Sequence, residues 1–337
     1  MKDTLKLAAA AALLAASTGL AAAADKVVMG TNWLAQGGHG GFYQALADGT
    51  YEKYGLDVEI KMGGPQVNNR PMLPAGRLDF LMAGNLLLSF DNVRNDIPTV
   101  VVAAFFQKDP QVLMAHEGAY SNFGDLKNAP TILISKDGQF SFWKWLVTDH
   151  GFANEQLRPY GYNLAQFLSD DKMVQQGYGT AEPIYAAAEG AKPVAYLLAD
   201  QGWNTYSTTI ETRAELVENN PELVQRFLDA SIEGWYNFLY GDRTAAYELI
   251  MKDNPEMTKE KLDKEMAQFE KLGIIDVGDA KEKGIGALST ERISAFYDTA
   301  VKSGIIEEGS VDLSKVATDQ FVNKGHGLDI AKKLQGN

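Results

Sequence analysis

Asn32 and Trp33 stand just ahead of a glycine-rich stretch, Gly37-Gly38-His39-Gly40-Gly41, that opens onto Phe42-Tyr43. An indole stacks on a flat ring, a carboxamide exchanges hydrogen bonds with a ring edge, and an imidazole donates or accepts. Glycines at a helix start leave backbone N–H groups able to hold an oxyanion or a ring acceptor. Gly63-Gly64-Pro65, Gly84-Asn85 and Asp137-Gly138-Gln139 follow three further strand-like runs. Glycine there lets backbone approach a ligand closely, though plain turn chemistry explains it as well. Glu182 lies in the run Gly177-Tyr178-Gly179-Thr180-Ala181-Glu182-Pro183. A carboxylate in such apolar company needs a partner when buried. The amino group and protonated ring nitrogen of an aminopyrimidine match it, whereas an isolated anion is repelled. The competing reading is a helix-N-terminal Glu favoured by the dipole. Tyr178 and Tyr206 either form a second stacking wall or pack in the core.

These groups suit holding a molecule better than transforming one. The chain has no Cys, hence no disulfide, no thiolate metal site and no Cys nucleophile. His116, His150 and His326 have no companions at metal-ligand spacing, and neither metal nor cofactor is expected. The strand-to-helix turns hold no Arg apart from Arg70, which argues against a site built for a lone anion.

The elements that position these residues alternate. Val27 to Trp33 reads as a strand. Phe42 to Tyr54 has helical spacing and stops at Gly55. Leu56 to Met62 alternates as a half-buried strand. Leu78 to Ala83 is a buried strand, a helix starts at Asn85, and Thr99 to Phe106 is strongly β-branched and aromatic. A βαβαβαβ order predicts a parallel-rich sheet covered by helices. A second α/β unit follows: a crossing strand at Gln111 to His116, strands at Pro130 to Ser135 and Gln156 to Tyr162, helices at Phe140 to Thr148 and Asp170 to Gln176, and a strand at Val194 to Leu198. Ser207 to Thr212 is extended, and the rest is nearly all helix. The chain leaves the first lobe near Gln107–Gln111 and returns near Tyr206–Thr212. That gives lobe 1 at 25–110 with 212–337, lobe 2 at 111–211, and a hinge between them.

Residues 1–24 have the three parts of a secretory leader: Lys2 and Lys6, an apolar run from Leu7 to Leu20, and Ala22-Ala23-Ala24. The apolar run is short of the ~20 residues a membrane span needs, so cleavage before Asp25 and export are expected. The net charge of −13 excludes nucleic acid as a partner, because that needs basic patches.

Asn32-Trp33, His39-Gly40-Gly41-Phe42-Tyr43, Tyr54-Gly55-Leu56-Asp57-Val58, Gly76-Arg77-Leu78-Asp79-Phe80, Glu182 in its Gly-rich run and Asn220-Pro221-Glu222-Leu223-Val224 together carry a resemblance. The chain resembles the NMT1/THI5-like solute-binding proteins of ATP-driven importers. The resemblance implies a two-lobe α/β periplasmic binding protein fold of type II, a ligand cleft between lobes, and a monomer that delivers its solute to an ABC permease in the inner membrane. It also implies that His39 lies near the site. Relatives take thiamine-pyrimidine precursors, riboflavin, sulfonates or nitrate. The synthases of the group need a Lys and a His after the third strand, and a Cys-rich loop. Here those stretches are Met82-Ala83-Gly84-Asn85-Leu86 and Gly202-Trp203-Asn204-Thr205-Tyr206. The expectation is a binding protein, not an enzyme, for a small flat nitrogen heterocycle. A thiamine-pyrimidine precursor leads; riboflavin or a sulfonate is the alternative. The expected site is Asn32, Trp33, His39, Gly64, Asn85, Gly138, Gln139, Tyr178, Glu182 and Tyr206.

Overall fold

The computed structural model describes residues 23–64 and 67–336. The expected leader, except its last two residues, lies outside them, as does Pro65 of the Gly63-Gly64-Pro65 turn. Two five-stranded mixed sheets carry the fold, each flanked by helices. This is the two-lobe architecture of periplasmic binding proteins.

The first sheet holds β1 (Asp25–Gly30), β2 (Leu56–Lys61), β3 (Phe80–Met82), β4 (Thr99–Phe106) and β10 (Ser207–Arg213), in the order β2-β1-β3-β10-β4. β1 pairs parallel with β2 and β3, and β10 is antiparallel to β3 and β4. The second sheet repeats the plan with β5 (Gln111–His116), β6 (Ile132–Ile134), β7 (Leu157–Pro159), β8 (Val174–Tyr178) and β9 (Pro193–Leu197), ordered β7-β6-β8-β5-β9. β4 reads Thr-Val-Val-Val-Ala-Ala-Phe-Phe and is almost wholly buried, as a strand covered on both faces must be.

Two sequence expectations change. Ser207–Glu211, placed in the second lobe from sequence, pairs with β3 and β4 of the first. The return crossing is therefore 198–206. Asp170 to Gln176 is not a helix: a short helix ends at Ser169, and Val174–Tyr178 is a central strand. Glutamines favour helices in isolation, but Gln176 accepts the Ser135 N–H at 2.6 Å, so tertiary contacts decide the segment.

The chain after β10 is helical and packs largely on the first sheet. The long helix Pro221–Tyr240 crosses the helix Gly40–Ala47 at close range. A Cβ on Gly40 would sit 2.0 Å from the Phe238 ring, and one on Gly41 2.1 Å from the Trp235 indole. These two glycines are consumed by helix packing, and their helix start is buried rather than open to an oxyanion.

One residue ties the two crossings together. Arg292, on the helix Thr290–Lys302, donates to the carbonyls of Gln107 on the outward crossing and Thr205 on the return. Its guanidinium lies 4.0 Å from the Tyr206 ring centroid. At the surface, Lys108 pairs with Asp200 at 2.7 Å across the same two segments.

Candidate functional site

The segments following β1, β2, β6, β7 and β8 converge on one interlobe cleft of about 1050 Å³. These are carboxyl ends of parallel-paired strands, where open α/β sheets place their ligands. After β1 come Trp33, Leu34 and Gln36, and after β2 Gly64 and Arg70. Asp137 follows β6, Tyr160 and Tyr162 follow β7, and Glu182 and Tyr185 follow β8. The helical C-terminal part adds Asn254, Glu256, Met257 and Lys261.

An aromatic path crosses the cleft. Trp33 of the first lobe faces Tyr162 of the second, with ring centroids 6.3 Å apart and planes tilted by 32°. Tyr162 in turn packs on Tyr160 at 5.2 Å. Tyr162 is a well-exposed aromatic with positive φ, a backbone conformation uncommon for a residue other than glycine. Tyr160 leads to the carboxylate, donating its hydroxyl to Glu182 Oε1 at 3.3 Å. The Tyr178 N–H donates to Glu182 Oε2 at 2.7 Å. Burial pushes the Glu182 carboxyl above its ordinary value, against the Tyr178 N–H, its own backbone N–H and the Tyr160 hydroxyl. Each carboxylate oxygen has two acceptor directions. With those three donors on it, Glu182 keeps capacity for one further donor from a ligand.

Beneath this surface a second carboxylate joins the lobes. Glu265, on the helix Lys259–Leu272, accepts the Gly37 N–H at 2.7 Å and the Tyr185 hydroxyl at 3.4 Å. It is 2% exposed. Burial raises its carboxyl to about 7, opposed by the Gly37 and Tyr185 bonds and the Lys261 charge. Lys261 sits over the Tyr185 ring at 5.7 Å.

Of the residues expected from sequence, Trp33, Gly64 and Glu182 line the cleft. Asn32 is exposed beside it. Tyr178 contributes its backbone N–H to Glu182, not a stacking ring. Gly138 and Gln139 turn inward: the Gly138 N–H bonds Ser135 Oγ, and the Gln139 amide bonds the Ile134 carbonyl. Their neighbour Asp137 lines the cleft instead. Asn85 caps the helix Leu86–Arg94 by accepting the Leu87 N–H. Two residues leave the site. His39 is 1% exposed in the core, and desolvation lowers it to about 4. Tyr206 is fully buried under Arg292, its hydroxyl accepting the Ser289 N–H.

Sequence reasoning passed over Tyr160, Tyr162, Tyr185, Lys261 and Glu265. Glu265 had a signal: it shares a helical stripe with Leu262, Met266 and Phe269, all buried, and a Glu in an apolar stripe asks for partners.

The NMT1/THI5-like family profile matches residues 36–242, more than half of the sequence. The chain belongs to the NMT1/THI5-like family. Within that frame it is 23% identical over 223 residues to the riboflavin-binding protein RibY of Chloroflexus aurantiacus, covering 64% of this chain and 62% of that protein. The alignment thus spans less than two thirds of the curated relative. Among solved structures, the sulfonate ABC transporter periplasmic protein SsuA of Methylobacillus flagellatus superposes with a TM-score of 0.61 at 14% identity, covering 93% of this chain and 96% of that one. The desulfurization enzyme DSZB superposes at 0.57 and 14% identity, covering 92% and 99%. At such identities the structural likenesses establish the fold, which serves both a binding protein and an enzyme.

Proposed function

We propose that this protein is the periplasmic solute-binding component of an ABC importer and captures a small flat nitrogen heterocycle between its lobes. An aminopyrimidine of the thiamine-precursor type is the leading solute. The observation that carries the reading is Glu182, a desolvated carboxylate with unused acceptor capacity, at the end of an aromatic path from Trp33 through Tyr162. A ring stacked on those faces can present an amino group or a ring N–H to the carboxylate. Ligand held by one lobe gains contacts from the other as the gap narrows, so the closed population rises with the difference in affinity. The closed form is what a permease would receive, and the basic-apolar leader fits export to the periplasm. The absence of Cys from the sequence favours binding over covalent chemistry.

A second reading is a flavin. The cleft volume of about 1050 Å³ sits at the upper end of ordinary small-molecule sites, ~300–1,000 Å³, and leaves room beyond one pyrimidine. The likeness to a riboflavin-binding protein supports it. Native mass spectrometry of protein taken from the periplasm, followed by calorimetric titration with aminopyrimidines, flavins and alkanesulfonates, separates these solutes. Tight binding of an aminopyrimidine that is lost in Glu182→Gln supports the leading reading. Binding of an alkanesulfonate alone, unchanged by Glu182→Gln, refutes the carboxylate–ring assignment.

A further inference from the structure

We infer that Arg70 is a second recognition point and that the solute is dipolar, with a donor-bearing ring facing Glu182 and an acidic group facing Arg70. This rests on the reading that a small molecule is captured in the interlobe cleft. Arg70 and Glu182 line that cleft from opposite lobes. Arg70 forms no ion pair with any carboxylate among the described residues, and neither does Glu182 with a cation. Two opposite charges facing one space without each other as partners call for a ligand that complements both.

The guanidinium is also built to face outward. Among the described residues its Nη2 alone is engaged, donating to the Leu88 carbonyl at 3.0 Å and to Asn92 Oδ1 at 2.7 Å. Among the described residues its Nε and Nη1 have no acceptor, which leaves separate N–H donors there for the oxygens of an acidic group. The hold on Nη2 is itself braced. The Asn92 amide donates to Thr99 Oγ1 and to Glu211 Oε2 at 2.8 and 3.0 Å, and Ser89 donates to Glu211 Oε1 at 2.6 Å. Glu211 is 1% exposed. This buried carboxylate lies near enough to feel the Arg70 charge and is linked to it through Asn92, without using its Nε or Nη1 donors. Lys261, the other cation of the cleft, is already turned to the Glu256 carbonyl and the Tyr185 ring, and Asp137 and Glu256 repel an anion elsewhere on the wall. Arg70 is thus the place where an acidic group gains most.

The test uses matched pairs on the mature protein: 4-amino-5-hydroxymethyl-2-methylpyrimidine against its phosphate ester, and riboflavin against flavin mononucleotide, with inorganic sulfate as the bare anion. Wild type, Arg70→Gln and Arg70→Lys are compared by calorimetry and thermal shift at constant ionic strength. In at least one pair the acidic member should bind wild type at least about tenfold more tightly than the neutral one. Arg70→Gln should erase that preference and leave the neutral member unaffected, while Arg70→Lys should restore only part of it. Equal binding of both members, weakening of both by Arg70→Gln, or no response to any acidic probe overturns the inference. Neutral-ring binding without acid preference leaves the capture reading standing. A sulfate effect that needs Arg70, with no ring bound, keeps Arg70 and removes the ring.

Discussion

Replacing Glu265 by Gln removes one charge from the link between the lobes and leaves its hydrogen bonds in place. The carboxamide oxygen can accept the Gly37 N–H, and its NH₂ can donate to the Tyr185 hydroxyl. The native carboxyl stands at about 7 against an ordinary 4.5. At ~1.4 kcal/mol per pH unit this raises the cost of the charged form by at most ~3.5 kcal/mol; relaxation and water reduce it to roughly 1–3. A carboxyl raised in the folded state stabilises most when protonated. Its contribution is complete below the unfolded value and is lost as pH rises through about 7. Urea unfolding at pH 5, 6, 7 and 8 should therefore show little difference between Glu265→Gln and wild type at pH 5. At pH 8 the variant should be more stable by roughly 1–3 kcal/mol. Asp109, raised by burial to about 6, and His39, lowered to about 4, titrate in both proteins and cancel from the difference. Glu265→Ala serves as the contrast: it loses the same pH dependence, but it strands the Gly37 N–H and should lie ~1–3 kcal/mol below Glu265→Gln at every pH. Parallel stability curves for wild type and Glu265→Gln would refute the assignment of a buried, titrating Glu265.

Trp33→Ala and Tyr162→Ala should each weaken a flat ligand by ~0.5–1.5 kcal/mol beyond lost area, measured by calorimetry; unaltered affinity in both would remove the aromatic path from recognition. Glu182→Gln should cost an amino-bearing ring ~1.5–3 kcal/mol, and titration with an analogue lacking the amino group should show a smaller loss. Gly41→Ala places a methyl 2.1 Å from Trp235 and should lower stability by ~1–3 kcal/mol or more, visible as a lower melting temperature. His39→Leu should leave ligand affinity within about twofold, since both ring nitrogens are buried away from the cleft, without partners among the described residues.

The alternation of strands and helices was legible because it is written in local pattern, and the sheets follow from it. Trp33 and Glu182 were legible because each stands directly after a strand on the edge where parallel strands end. Tyr160 and Tyr162 were hidden by reading the strand on through Tyr162, whereas β7 ends at Pro159. Lys261, Asn254 and Met257 reach the cleft from a helical tail distant in sequence, and no local pattern reports that return. His39 misled for the opposite reason. A histidine among glycines suggests an open loop, yet those glycines allow helix Pro221–Tyr240 to press close and seal the segment into the core.

Under the proposed lobe closure, Arg292 would serve as a mechanical axis. A single guanidinium bonded to one carbonyl on each crossing resists sliding of the two segments, because shear would break both bonds at once. Bending on either side of it leaves them intact. The proposed closure would then be a swing about a pin, with displacement growing along the lever arm. Spectroscopic labels beside Gln107 and Thr205 should stay nearly fixed, while a pair on the exposed rim, such as Asn32 and Asn163, should carry most of the distance change. Cutting the pin with Arg292→Ala would convert a door into a loose joint, broadening the rim distances even where the cleft residues are untouched.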